Sequence, residues 1–119
     1  MDIPDAGYRH IGRCTELEAL TLMYCRDTTD AAAEHITGLP KLARYFASYT
    51  LITDRTPELL STIDSLEDVT FDSCHGLTNV GIGRLSRLPK LRSVSVAGRS
   101  VTPDVANRFA PGVEVRINS

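Results

Sequence analysis

Three cysteines (Cys14, Cys25, Cys74) and three histidines (His10, His35, His75) are the side chains best suited to ligate a metal or attack a carbonyl. Their spacing assembles neither chemistry. A zinc site takes about four ligands, and His10 with Cys14 leaves the rest unsupplied. A thiol nucleophile needs a histidine that faces it. His75 directly follows Cys74, where successive side chains of an extended chain point apart. Gly81-Ile82-Gly83 opens a helical stretch and invites comparison with a phosphate cradle, but it completes neither a dinucleotide fingerprint nor a Walker motif. Close packing at a helix start explains the two glycines. Arg84, Arg87, Lys90 and Arg92 read as a solvated basic face at the end of that helix. No acid, base and nucleophile set converges, so the expectation is no catalytic residue, no metal and no cofactor.

Bulk properties narrow the partners. The 119 residues carry 13 basic and 15 acidic side chains, a net charge of −2. A generic grip on nucleic acid needs a basic excess, so no nucleic-acid partner is expected. No apolar run approaches the ~20 residues of a membrane span. Met1-Asp2-Ile3-Pro4-Asp5 lacks the basic and apolar regions of a signal peptide. An odd number of widely spaced cysteines is no disulfide framework. A cytoplasmic, reducing setting is the expectation. Aromatic content is 6% with no Trp, low for one central core and ordinary for many small aliphatic layers.

Those layers are written as a repeat. Leu17, Leu20, Leu22 and Cys25 share a frame with Leu66, Val69, Phe71 and Cys74. It recurs more loosely at Leu42, Tyr45, Ala47 and Thr50, and at Leu91, Val94, Val96 and Arg99. The first positions are 25, 24 and 25 residues apart. A second frame places Thr29, Thr53, Thr78 and Thr102 before each helical stretch, followed by Asp30, Asp54, Asn79 and Pro103. Thr suits a helix N-cap, and Asp or Pro suits the first turn. Offsets of 4, 7, 10 and 13 from Thr29 give Ala33, Ile36, Leu39 and Leu42; from Thr53, Pro57, Leu60, Ile63 and Leu66; from Thr78, Ile82, Leu85, Leu88 and Leu91. Steps of three and four mark one inward helical stripe. The same count from Pro4 gives Tyr8, Ile11, Cys14 and Leu17, an opening helix without its strand. Val113 to Ile117 closes the chain as an alternating strand after a shorter helix. One domain over 1–119, of about five helix–strand units, is expected.

The L-x-x-L-x-L-x-x-C frame with its following Thr-Asp resembles the cysteine-containing leucine-rich repeat of F-box substrate receptors and of proteins related to ATP synthase coupling factor B. The motif is fullest at Cys25-Arg26-Asp27-Thr28-Thr29-Asp30 and Cys74-His75-Gly76-Leu77-Thr78-Asn79. Thr50 and Arg99 replace the cysteine in the other two repeats, with three residues to the helix Thr instead of four. The resemblance implies an α/β solenoid: a short right-handed arc, a parallel concave sheet and helices on the convex side. It also implies a non-catalytic binding scaffold for another protein.

Strand alternation sorts the residues of the expected concave face into columns. These are Ala19, Arg44, Asp68 and Ser93; Thr21, Phe46, Thr70, Ser95 and Glu114; Met23, Ser48, Asp72, Ala97 and Arg116; and Tyr24, Tyr49, Ser73 and Gly98. The expected partner-binding residues are Met23, Tyr24, Arg44, Phe46, Tyr49, Asp68, Asp72 and Arg116. Aromatics beside an arginine match the composition of binding hot spots. The alternative is an assembly subunit that self-associates, or docks, through the ends of the array. Cys14, Cys25 and Cys74 are expected to be buried packing residues.

Overall fold

Apolar residues two apart give this chain its strands, and apolar residues three and four apart give it its helices. The computed structural model describes residues 11, 13–23, 29–49, 51–74, 76–97 and 101–118. Five strands, β1 (Ala19–Met23), β2 (Arg44–Ser48), β3 (Asp68–Asp72), β4 (Ser93–Ala97) and β5 (Glu114–Asn118), form one sheet in sequence order. Every neighbouring pair is parallel. Parallel neighbours require crossovers, and helices supply them: α1 (Asp30–Ile36), α2 (Arg55–Leu60) and α3 (Asn79–Arg84). A 3₁₀ turn, Leu85–Arg87, extends α3, and a 3₁₀ helix, Pro103–Arg108, precedes β5. Of the expected opening helix, Ile11 is described as helical, and turns follow from Arg13 to Leu17.

The core face is the one the alternation marks. Leu20, Leu22, Tyr45, Ala47, Val69, Phe71, Val94 and Val96 are buried. The helical stripes meet them: Ala33, Ile36, Leu39 and Leu42, then Pro57, Leu60, Ile63 and Leu66, then Ile82, Leu85, Leu88 and Leu91 are all buried. Pro57 stands third in α2, within the first turn, where its missing N–H costs no intrahelical bond. Cys14 departs from the expectation. It is exposed, because the chain is already in a turn at Arg13 and its side chain leaves the stripe that Ile11 and Leu17 present to the core.

Strand pairing follows the repeat frame across four strands. Ala19, Arg44, Asp68 and Ser93 are successive partners, as are Thr21, Phe46, Thr70 and Ser95. The fifth strand corrects the expected columns. Glu114 pairs with Ser93 and Arg116 with Ser95, two residues away from their anticipated rows. The final unit is short: 21 residues separate Ser93 from Glu114, against 25 between Ala19 and Arg44. Its crossover is a compact 3₁₀ helix.

The Thr-Asp pair does more than cap helices. Thr29 accepts a capping bond of that kind from the amide of Ala31 at 3.3 Å, and Thr53 accepts one from the amide of Arg55 at 3.4 Å. The following residue instead reaches into the next unit. Asp30 accepts the Thr53 amide at 2.8 Å and the Thr53 hydroxyl at 2.6 Å. Asp54 accepts the same two groups of Thr78. Asn79 accepts the Thr102 amide at 2.9 Å and donates to the Thr102 hydroxyl at 2.8 Å. A polar ladder therefore runs along the helix starts and ties each unit to the one after it.

One position decides how tightly the ladder closes. Three residues after the helix Thr stands Thr56, fully buried, whose hydroxyl donates to Asp30 at 2.6 Å. The equivalent residue in the next unit is Gly81. A Cβ there would lie 2.2 Å from the Asp54 Oδ1, so glycine makes room for the carboxylate. Gly76 likewise admits the carbonyl of Ile52, 2.5 Å from where its Cβ would stand. At the other end of the strands, Cys74 donates its thiol to the carbonyls of Ala47 at 3.6 Å and Asp72 at 3.5 Å. This buried thiol joins a strand end to the preceding unit. Cys25 lies outside the described residues.

Candidate functional site

The strand residues that do not face the core form an open face of the sheet. Arg44, Phe46 and Asp68 meet there, around a shallow hollow of about 230 Å³. β2 supplies Arg44 and Phe46, two residues apart and so on the same side, and β3 supplies Asp68 as the register partner of Arg44. Ala19 and Thr21 complete its β1 side. Arg44 is exposed and Phe46 half-buried, so the hollow joins an apolar ring face to a guanidinium.

The carboxylates are already partly engaged. Asp68 accepts the Ser93 hydroxyl at 2.6 Å, which aims it along the face. Asp72 stands on the same face, two residues further along β3. It accepts the Ser73 hydroxyl at 3.3 Å, a long contact that leaves acceptor capacity open. From Phe46 to Asp72 is one strand across and two residues along, about 8 Å at ordinary strand spacings.

Tyr49 extends the site beyond the strand ends. It is 45% exposed and takes a positive φ of 54°, and Ser73 in the next unit repeats the turn with 56°. Both amides donate onward to the next strand, Tyr49 to Asp72 and Ser73 to Ala97. Left-handed backbone is unusual for a tyrosine, and the repeated amide bonds hold it.

Of the other expected residues, Met23 pairs with Ser48 through its backbone position in β1. Its side chain, and Tyr24, lie outside the described residues. Arg116 stands apart from the hollow. Three strand spacings separate it from Phe46, about 14 Å, and it pairs with Glu114 through Nε at 2.7 Å and Nη2 at 2.5 Å. It lines a second hollow of about 260 Å³ with Thr70, Ser93 and Ser95. The open face thus carries Ala19, Thr21 and the Phe46 ring beside Arg44 over β1 and β2, and is polar and charged over β3 to β5. Ser48, expected on this face, is buried.

Sequence reasoning missed Leu51, which is 63% exposed just past Tyr49. A signal was present. The equivalent residues of the other units are Arg26, His75 and Ser100, so Leu51 is the apolar member of a polar column.

Among the described residues, no three His, Cys, Asp or Glu side chains gather as a metal site requires, and no helix is long and apolar enough to cross a membrane. No protein-family model matches the chain.

Proposed function

We propose that this chain is a leucine-rich-repeat solenoid, a short right-handed arc, that binds a partner protein on its concave sheet face and catalyses no reaction. The carrying observation is the hollow of Arg44, Phe46 and Asp68, with exposed Tyr49 and Leu51 past the end of the same strand. A half-buried aromatic, an arginine and two exposed apolar side chains on and just past one strand match the composition of an interface. The solenoid reading is supported by strands that pair in repeat register and by the Asp–Thr ladder between units. A reducing, cytoplasmic-type setting suits Cys74, a free cysteine whose thiol, not a disulfide, donates to Ala47.

The test is affinity capture from the native source with the intact chain and with Phe46→Ala/Tyr49→Ala. The double variant should lose the captured protein while its far-ultraviolet circular dichroism is unchanged. Equal capture by a folded double variant removes the proposal.

A second reading, assembly through the array's ends, is favoured by β5. Among the described residues it pairs with β4 alone, and its core-side Val115 and Ile117 are only half-buried. Light scattering at rising concentration separates a self-associating chain from a monomer.

A further inference from the structure

We infer that Arg84, Arg87 and Arg108 form a binding site for a phosphoryl group on the helical side of the molecule, away from the open sheet face. The three side chains line one open cleft of about 270 Å³ with Gly83 and Val80. The basic cluster legible in the sequence is re-sorted to make it. Arg92 leaves the group to pair with Glu67 at 3.7 Å, and Arg108 joins it from the final 3₁₀ helix.

The arrangement follows from two repeat columns. Five residues after the helix Thr stand Glu34 in α1 and Glu58 in α2, but Gly83 in α3. Glu34 pairs with Arg55 of the next unit at 3.6 Å, and at Gly83 the acid of this column is deleted. Six residues after the Thr stand His35 and Leu59, then Arg84 and Arg108. Like charges therefore occupy equivalent positions in neighbouring units, just where the acid is missing.

Gly83 also shapes the site. A Cβ there would lie 2.7 Å from the Arg108 Cδ and 2.9 Å from its Nη1, so glycine lets this arginine lie against α3. Among the described residues, the ion pairs use Lys41, Arg55, Arg92 and Arg116, and none uses the three arginines of the cleft. Asp104, one turn before Arg108, makes no ion pair with it either. A local charge of three positives stands on a chain whose net charge is −2. Gathered like charges repel until an anion answers them.

The ligand class follows from the donors. Arginine presents a rigid fork that bonds oxyanions in pairs. Three forks lining one cleft, from α3, its 3₁₀ extension and the final 3₁₀ helix, offer more donors than one planar carboxylate can accept and suit a tetrahedral oxyanion with several acceptor oxygens. A phosphoryl group carries about two negative charges near pH 7. The cleft is open, so the group can arrive as free phosphate or carried on a larger molecule.

Calorimetric titration of the intact chain tests this with inorganic phosphate, a phosphoserine peptide and the same peptide with serine. Saturable binding of phosphate or of the phosphopeptide, at about 1 mM or tighter, is the expected result. Arg84→Gln and Arg108→Gln should each weaken it about tenfold, and Arg92→Gln should leave it unchanged. Gly83→Ala should weaken it by displacing Arg108; if that variant does not fold, the arginine variants carry the test. A phosphopeptide at least about tenfold tighter than phosphate places the group on a protein; equal binding points to the free anion. Absence of saturable binding by both overturns the inference. So does an equal loss in Arg92→Gln, or preference for a polyglutamate peptide over both phosphate ligands.

Discussion

Replacing Asp30 by alanine should cost more stability than any other single change in the polar ladder, because one of its partners has no other recourse. The carboxylate accepts the Thr53 amide at 2.8 Å, the Thr53 hydroxyl at 2.6 Å and the Thr56 hydroxyl at 2.6 Å. Thr53 is exposed, so water can replace the carboxylate there, with a net loss of about 1 kcal/mol. Thr56 is fully buried, and its stranded hydroxyl costs about 1–3 kcal/mol. The total, about 2–4 kcal/mol, is a large share of the 5–15 kcal/mol typical of a domain. Urea unfolding gives the midpoint, and a double-mutant cycle isolates the cause. Thr56→Val should destabilise the wild-type chain but be nearly neutral beside Asp30→Ala. Asp30→Asn should cost less than alanine, since Asn79 makes the equivalent bonds to Thr102. Burial pushes the Asp30 carboxyl up, but hydrogen bonds from Thr53 and Thr56 outweigh it and hold the group below its ordinary 3.8. A depressed folded pKa stabilises above the unfolded value and is lost as pH falls through the folded one. The gap between wild type and Asp30→Asn should therefore close below about pH 3.8. An Asp30→Ala chain within about 0.5 kcal/mol of wild type would refute the ladder as a source of stability.

Three further outcomes follow from the same geometry. Gly81→Ala should lower the thermal midpoint, since its Cβ would lie 2.2 Å from the Asp54 Oδ1 and push the carboxylate off Thr78; the loss is about 1–3 kcal/mol by calorimetry. Maleimide labelling under native conditions, read by mass spectrometry, should modify the exposed Cys14 well before the buried Cys74. Lys41→Ala should change stability by no more than about 1 kcal/mol, despite its 2.6 Å contact with Glu16, because both side chains are well exposed.

The sheet and its core were legible because side-chain period is a local property. Leu20 and Leu22, or Val94 and Val96, declare a strand face whatever lies beyond them, and the stripe from Ile82 to Leu91 declares a helix face. The ladder was not legible. Thr-Asp at a helix start has a complete local reading as cap and first turn, while the partner that Asp30 takes is 23 residues away. The register of β5 escaped for a related reason: a shortened crossover moves the strand without altering its alternation. Of the candidate site, Arg44, Phe46 and Asp68 came together because their columns follow from register alone. The ion pair of Arg116 with Glu114, the burial of Ser48 and the exposure of Leu51 depend on packing that no column records. Gly83 was readable as close packing, but not as packing against Arg108, which enters from the following unit.

Site-specific photo-crosslinking tests the central proposal most directly. A benzoylphenylalanine replacing Thr70, on the open face beside Phe46 and Asp68, is compared with one replacing the exposed Thr62 at the end of α2. The proposed concave-face interface predicts that the Thr70 position crosslinks one discrete protein in the native source, and that Phe46→Ala abolishes the product. The same protein crosslinked only from the Thr62 position, or a Thr70 product indifferent to Phe46→Ala, would contradict it.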